Sequence, residues 1–544
     1  MTHTHGSMVW GIVLKHLARL SWWAGLIVVA WDCSVEIYAA VPTSLQNRLQ
    51  RAVRLPEIDV SAGFAYNQES LLAEDDIPDP SAAALKLQGQ LTGEPSDATR
   101  WLQLARLHQL AGDPSASKTA LEKALVLFRK RVSLQPEDIA SRVGLGEALN
   151  RSGSNTEAES VLRDAVARAP KEALAWSALG RFWMGRVQQR LNLASTASSA
   201  RPSAAQLEES TRWREEARRC FDNAIELAPK QARPRADRAG FLSWASGQDF
   251  LLKQLRGQAG GIEDLTVSVF STNAIPDLEI ASSLAPRDYR LHAASIWFQV
   301  FGNQRGQPNA LSNQGTPWEN LSSDLKNRIR PHLKALENLG DDADPQISSG
   351  ALENLAVIQT MLMMDPSGAS ITARRALRRD ATRAQAWELL LGTLISTERW
   401  EELLSLLEDR VKLRPEPRSF FMQVKILAQR DRWDESYRRL RMAMELWPND
   451  ILIRLSYACL LIRRSQGDIL LPEARAQLEG LTKLLAQMKN PQDRARFAMH
   501  AGVTSAILFA LEGNEDEARQ FLKSVTASNP GNAYASSVLE ILGN

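Results

Sequence analysis

Small and apolar residues return at fixed offsets along much of this 544-residue chain. Pro136 and Pro170 stand 34 residues apart, and a helical pattern precedes each of them. The facing positions of the intervening patterns hold Leu145-Gly146, Ala158, Leu162 and Ala165. The next unit holds Leu179-Gly180, Ala217, Phe221, Ala224 and Pro229 at the same offsets, with a long insertion between its two helices. This period predicts stacked helical hairpins, because small residues let two helices approach closely and proline ends the second helix.

The C-terminal half carries the same pattern. One unit contains Trp387, Leu390, Leu394, Leu403, Leu407 and Pro415, and the next contains Phe420, Val424, Leu427, Ser436, Leu440, Ala443 and Pro448. The tripeptide Glu398-Arg399-Trp400 returns 33 residues later as Asp431-Arg432-Trp433, at the predicted turn between two helices. A last unit contains Gly513-Asn514, Ala518, Leu522 and Pro530, and Gly-Asn is typical of a turn that ends a helix.

These residues resemble the tetratricopeptide repeat. The match is Trp176-x-x-Leu179-Gly180-x-x-Trp183 followed by Ala217, Phe221, Ala224 and Pro229, and Trp101-x-x-Leu104-Ala105-x-x-His108 is similar to it. About ten candidate repeats lie between Asp97 and Pro530, and the middle ones are degenerate. The resemblance implies an all-α superhelical solenoid of antiparallel helix hairpins. We expect Trp176 and Phe221 to be buried packing residues.

The pattern divides the chain into five parts. They are a signal-anchor or signal segment (1–41), a proline-punctuated tether with short helices (42–97), N-terminal repeats with insertions (98–290), a degenerate repeat or insertion region (291–348), and C-terminal repeats with a capping helix (349–544). Within the tether, helices are expected around 45–53 and 82–91.

The amino terminus contains an apolar segment from Leu20 to Trp31, preceded by Lys15 and Arg19. The segment is shorter than the roughly 20 apolar residues of a spanning helix, and it has the length of a secretory signal. An uncleaved N-terminal hydrophobic helix, a cleaved signal peptide and an apolar first helix of a soluble protein all remain open. The preferred interpretation is a bacterial, membrane-anchored protein with its repeats in the periplasm. The alternatives are an exported soluble protein or a cytoplasmic one.

Charge and motifs favour no catalytic chemistry. The net charge of +2 lacks the basic excess of a nucleic-acid-binding protein. No nucleophile, metal-ligand or phosphate-loop motif occurs, and the three cysteines are far apart. We therefore expect no enzyme, cofactor, metal or small-molecule substrate. Arginine clusters at 374–379 and 438–441 fit a solvated helix face or a docking patch for an acidic partner.

In tetratricopeptide proteins the first helix of each hairpin lines the partner-binding groove. By that resemblance the candidate groove residues are Arg106, Gln109, Glu147, Asn150, Arg181, Phe421, Lys425 and Gln429. Some relatives hold a partner's terminal carboxylate with Lys and Asn, but the corresponding positions here are Leu102 and Arg106, then Val143 and Glu147. The expected ligand is therefore an extended peptide or a helix.

The predicted function is a protein-interaction scaffold in a membrane-associated assembly, with other proteins as partners and the membrane contacted through the N-terminal segment. Two alternatives remain. One is an enzyme or enzyme-associated subunit whose activity lies in the irregular region 245–345. The other is binding of RNA or anionic lipid through the arginine clusters.

Overall fold

The computed structural model describes residues 44–56, 77, 79–196, 204–255, 271–302, 318–413, 415–465, 469–488, 490–529 and 531–543. The predicted hydrophobic segment 1–41 lies outside these ranges, as do most of the predicted insertions. Of the described residues, those from 77 to 393 form one compact unit, and 44–56 together with 394–543 form another. We call them the N-terminal unit and the C-terminal unit.

All regular structure in these ranges is helical. In chain order the helices are α1 Leu45–Ala52, α2 Pro80–Gly93, α3 Ala98–Leu110, α4 Pro114–Leu134, α5 Ile139–Arg151, α6 Asn155–Arg168, α7 Ala173–Thr196, α8 Ala204–Leu227, α9 Ala232–Leu255, α10 Ile275–Leu284, α11 Tyr289–Gly302, α12 Ser323–Leu339, α13 Pro345–Met361, α14 Pro366–Arg379, α15 Ala384–Ser396, α16 Trp400–Leu413, α17 Pro417–Gln429, α18 Trp433–Leu446, α19 Ile451–Arg464, α20 Leu471–Gln487, α21 Pro491–Leu511, α22 Glu515–Ser528 and α23 Ala533–Leu542. None of these helices is long and apolar enough to cross a bilayer.

Consecutive helices pair as hairpins within each unit. The pairs in the N-terminal unit are α3/α4, α5/α6, α7/α8, α9/α10, α11/α12 and α13/α14, and those in the C-terminal unit are α17/α18, α19/α20 and α21/α22. Each hairpin also packs against its neighbours along the chain. The prediction of an all-α array of helical hairpins is confirmed for the described residues. The region 291–348, predicted to be degenerate, includes most of the hairpin α11/α12.

Aspartate followed by proline starts four of these helices. The pairs are Asp79-Pro80, Asp113-Pro114, Asp344-Pro345 and Asp365-Pro366, and each aspartate side chain accepts a hydrogen bond from a first-turn amide. The carboxylate satisfies an otherwise unpaired N–H, and proline at the first helical position has none to satisfy.

The small residues of the repeat lie where two helices meet. An added Cβ on Gly146 would stand 2.5 Å from Leu162, and one on Gly180 would stand 2.9 Å from Phe221. Ala158 and Phe221 are fully buried. The predicted close approach of the paired helices is therefore confirmed at these positions.

The turn after the first helix of a hairpin needs a left-handed residue. Gly112, Gly153 and Gly513 take this position with φ of 78°, 85° and 91°. Glu398 and Asp431 take it with φ of 53° and 57°. The Glu398 and Asp431 tripeptides repeat in the sequence because both form this turn, although a side chain with a Cβ is disfavoured there.

A hydrogen bond from a side chain clamps the linker before many of the hairpins. The donor lies six residues after the carbonyl that accepts, and the pairs are Trp101 with Pro95, Arg142 with Pro136, Trp176 with Pro170, His292 with Pro286, Trp387 with Ala381, and Arg454 with Pro448. We call this contact the linker clamp. Trp176, expected to be a buried packing residue, packs against the core with its ring only partly buried, and its indole N–H donates to Pro170 O at 2.9 Å.

Two helices lie within the predicted tether 42–97. Helix α2 packs against α3. Helix α1 packs against α19, α21 and α23 of the C-terminal unit. The segment 45–52 is therefore part of a folded unit, although more than 400 residues separate Gln50 from its hydrogen-bond partner Ser465.

Candidate protein-binding surfaces

Five of the predicted groove residues lie on three successive first helices of the N-terminal unit. Arg106 and Gln109 are on α3, Glu147 and Asn150 on α5, and Arg181 on α7. We call the surface of these five residues the N-terminal face. Gln109 is exposed and the other four are half-buried.

Ion pairs connect these helices across the N-terminal face. The guanidinium of Arg181 contacts Glu147 at 2.7 Å and Asp237 of α9 at 2.9 Å. Asp237 also pairs with Arg233 at 2.7 Å. Because each pair joins different helices or successive turns, the side chains are held in place before any partner arrives.

Other polar residues of this face make weaker contacts. Arg151 donates to the Gln109 side-chain oxygen at 3.5 Å, at the limit of a hydrogen bond. A Cβ on Gly185 would lie 3.8 Å from the Asn150 amide nitrogen, so α5 and α7 are close at this point. The structure thus brings Glu147 and Arg181 into direct contact and places Gln109 within reach of Arg151.

Sequence reasoning missed Asp237. Arg106, Glu147 and Arg181 each stand 11 residues after the proline that precedes their hairpin, but that position in α9 is Gly240. Asp237 lies one helical turn earlier and still reaches Arg181. The sequence feature that could have predicted this contact is an acidic residue within one helical turn of the position in α9 that is equivalent to Arg181 in α7.

In the C-terminal unit only part of the predicted groove is accessible. Lys425 is half-buried and Gln429 is exposed on α17. Phe421 is 0% exposed and belongs to the hydrophobic core, so the prediction that it contacts a partner is wrong. Its ring lies on the side of α17 that faces neighbouring helices, where an aromatic side chain contributes packing.

A helix already lies on the first helices of this unit. Helix α1 contacts α19 and α21, each the first helix of its hairpin, and α23, which follows in the same order. Leu49 is 1% exposed and Val53 is 5% exposed in the shared core. We call the surface of α19, α21 and α23 beneath α1 the α1-binding surface.

Side chains of the α1-binding surface bond the main chain at the end of α1. Arg463 donates to Arg51 O at 3.0 Å and to Val53 O at 3.5 Å. His500 Nε2 lies 2.8 Å from Arg54 O. The Arg54 N–H donates to the Tyr534 hydroxyl at 3.4 Å. The bond to Arg51 O satisfies a carbonyl that the end of a helix leaves unpaired, and the other bonds hold the main chain just beyond α1.

Electrostatics favour these bonds at neutral pH. Burial lowers the pKa of His500 to about 4, so its ring is neutral and Nε2 carries the proton that it donates to Arg54 O. The guanidinium of Arg463 is held 3.8 Å from the centre of the Trp433 ring. The His500 ring packs against the Tyr534 ring, with their centroids 4.9 Å apart, so both donors are positioned by contacts of their own.

Two histidines of the N-terminal unit also form a pair. His292 Nδ1 and His332 Nδ1 are 3.0 Å apart. The clamp to Pro286 O requires a proton on His292 Nε2, so in the neutral ring Nδ1 accepts and His332 Nδ1 donates. Burial and the neighbouring His292 together lower the pKa of His332 to about 4, and burial lowers the pKa of His292.

No metal cluster accompanies this pair in the described part of the chain, where no three His, Cys, Asp or Glu side chains converge. The arginine clusters are partly neutralised by ion pairs. Arg375 contacts Asp341 at 2.8 Å, and Arg439 pairs with Glu408. Burial raises the pKa of Cys220 to about 12, so this thiol is a packing group.

Comparisons with known proteins give structural matches alone. No family model matches the chain, and no curated protein sequence matches it. The structure of YrrB, described as a TPR protein with an unusual peptide-binding site, has 20% identity and a TM-score of 0.28, covering 38% of this chain and 96% of YrrB. Yeast Tom70 has 14% identity and a TM-score of 0.28, covering 85% of this chain and 91% of that structure. The P58(IPK) TPR domain has 13% identity and a TM-score of 0.20, covering 82% and 97%.

Scores this low carry no argument about this chain. The hairpin architecture rests on the helix pairs described above, and the candidate surfaces rest on their own contacts.

Proposed function

We propose that the chain is a protein-interaction scaffold of the tetratricopeptide type, without enzymatic activity of its own. Its first helices bind helical or extended segments of partner proteins. We further propose that it belongs to a membrane-associated assembly, anchored through residues 1–41 with its repeats outside the cytoplasm.

One observation carries the binding proposal. Helix α1 lies across three successive first-position helices, with apolar residues buried and its main chain bonded by Arg463, His500 and Tyr534. A surface that holds one helix in this way has the apolar anchors and the polar main-chain contacts that helix recognition needs.

The N-terminal face supports the same function with different chemistry. Its charged groups have both signs, and the bonds from Glu147 through Arg181 to Asp237 order the side chains. Ordered side chains lose less conformational entropy when a partner binds. We infer that this face selects polar, extended segments by hydrogen bonds.

A photo-crosslinking amino acid at Gln109 tests the proposal in cells that express the intact chain. The matched control carries the same amino acid at Val126, which is exposed on the second helix α4. We expect a discrete protein adduct from position 109 and none from position 126. Equal adducts at both positions, or none at 109, would contradict binding on the first helices.

Membrane association is tested separately. We expect the chain to sediment with membranes and to be digested by protease added to spheroplasts. Complete recovery in the cytosolic fraction would overturn the proposed location while leaving the binding proposal open to its own test.

A further inference from the structure

Helix α1 enters the C-terminal unit from the opposite end of the chain, and within the described residues it has no hairpin partner. Leu49 of α1 and Val53, the residue that follows the helix, lie four residues apart and are both buried in the core. Such a helix contributes a ligand-like contact and no repeat of its own.

The hydrogen bonds of Arg463, His500 and Tyr534 at the end of α1 are made with its main chain. Arg463, His500 and Tyr534 come from α19, α21 and α23, and each bonds a backbone group of residues 51–54. Any sequence presents these backbone groups. The identity of the bound helix is therefore set by its apolar anchors and by the Gln50 side chain, which donates to Ser465 O, while these main-chain hydrogen bonds hold the end of the helix.

Among the other side chains of α1, Gln50 donates a hydrogen bond to Ser465 O, and Leu45 and Ala52 pack against the core. Gln46, Asn47 and Arg48 are exposed. Pro56, two residues beyond the bonded Arg54, is buried. The surface therefore fits an amphipathic helix of about two turns with a Leu-x-x-x-Val anchor pair, followed by an extended segment.

We propose that the α1-binding surface is a receptor for a short amphipathic helix of a partner protein, and that α1 is its built-in occupant. The partner helix carries the Leu-x-x-x-Val pair and binds by displacing α1. This inference rests on the proposed scaffold function and adds the class of partner and the means by which the site is closed.

Fluorescence anisotropy with a labelled peptide of residues 44–56 tests the proposal on the full-length chain. The Leu49→Asp variant places a charge in the apolar seat and releases α1. The control variant Gln46→Asp changes an exposed position of the same helix. We expect the peptide to bind Leu49→Asp at least ten-fold more tightly than it binds the wild type or Gln46→Asp.

A second variant locates the binding and guards against misfolding. Adding Arg463→Ala to Leu49→Asp removes a donor of the surface, and we expect peptide affinity to fall at least five-fold. If Leu49→Asp loses helical circular dichroism, Leu49→Ala replaces it, with the same order of affinities expected.

Each result decides one part of the proposal. Equal affinity for wild type and Leu49→Asp would overturn closure by α1, and failure of a folded variant to bind would overturn the receptor. A wild-type dimer that becomes a monomer in Leu49→Asp would overturn closure within one chain and assign α1 to a second copy. Crosslinking at Gln109 is independent of these outcomes, so failure here leaves the broader scaffold function testable.

Discussion

At the scale of one residue, paired helices can approach closely where one of them carries a glycine, which has no Cβ. Gly146 has Leu162 where its Cβ would be, whereas nothing lies within 4 Å of the corresponding position on Gly89 in α2. We expect Gly146→Ala to lower the free energy of unfolding by about 1–3 kcal/mol through overpacking. We expect Gly89→Ala to raise it by up to about 1 kcal/mol, because alanine is the better helix former. Urea denaturation measures both, and the same sign for the two variants would contradict the packing explanation.

The histidine pair gives the N-terminal unit a predicted pH dependence. The pKa of His332 is about 4 in the folded unit, below the ordinary value near 6.5, so the unfolded chain binds a proton more readily. The contribution of the neutral His332 to the free energy of unfolding is therefore fully present above about pH 6.5. It is lost as the pH falls from there toward 4.

The variant His332→Asn tests this dependence. Its amide can still donate to His292 Nδ1 but takes up no proton in this range. We expect a smaller loss of thermal stability between pH 7.5 and pH 5 than in the wild type. An unchanged loss would show that other groups are responsible.

At the scale of the element, the linker clamp joins one hairpin to the next. Trp176→Phe keeps an aromatic ring but removes the bond to Pro170 O. We expect a loss of about 1 kcal/mol, the usual net value of one hydrogen bond. Phe221→Ala is the comparison, with an expected loss of about 3–5 kcal/mol from a fully buried ring. Equal losses in denaturant melts would mean that Trp176 acts by packing instead.

The elements also show what a sequence can predict. Period and small residues were sufficient for the hairpins, because those residues act on their nearest helix. The linker clamp could not be predicted from residue type. Each donor lies six residues after the accepting carbonyl, but the donors differ, as Trp176, Arg142 and His292 show. The α1-binding surface could not be predicted from the sequence either. An amphipathic pattern shows that Leu49 needs a buried environment, but it does not say which distant surface provides one.

For the whole molecule, each unit is a stack in which helices contact the next helix and the next but one. In α6, Leu162 is fully buried among α5, α6 and their neighbours. In such a stack, stability is approximately a sum of repeat and nearest-neighbour contributions. A local defect should therefore destabilise the neighbouring hairpins, and its effect should decrease with distance along the unit.

Leu162→Ala puts this to the test. The cavity should cost about 2–5 kcal/mol. Hydrogen exchange followed by mass spectrometry should be faster in α5, α6 and α7 and unchanged in α13 and α14 of the same unit, because opening there does not require the damaged hairpin to open. A uniform rise across the N-terminal unit would instead indicate one cooperative domain. In that case a partner bound at one hairpin would stabilise all of them, whereas in a stack it would stabilise the hairpins it touches.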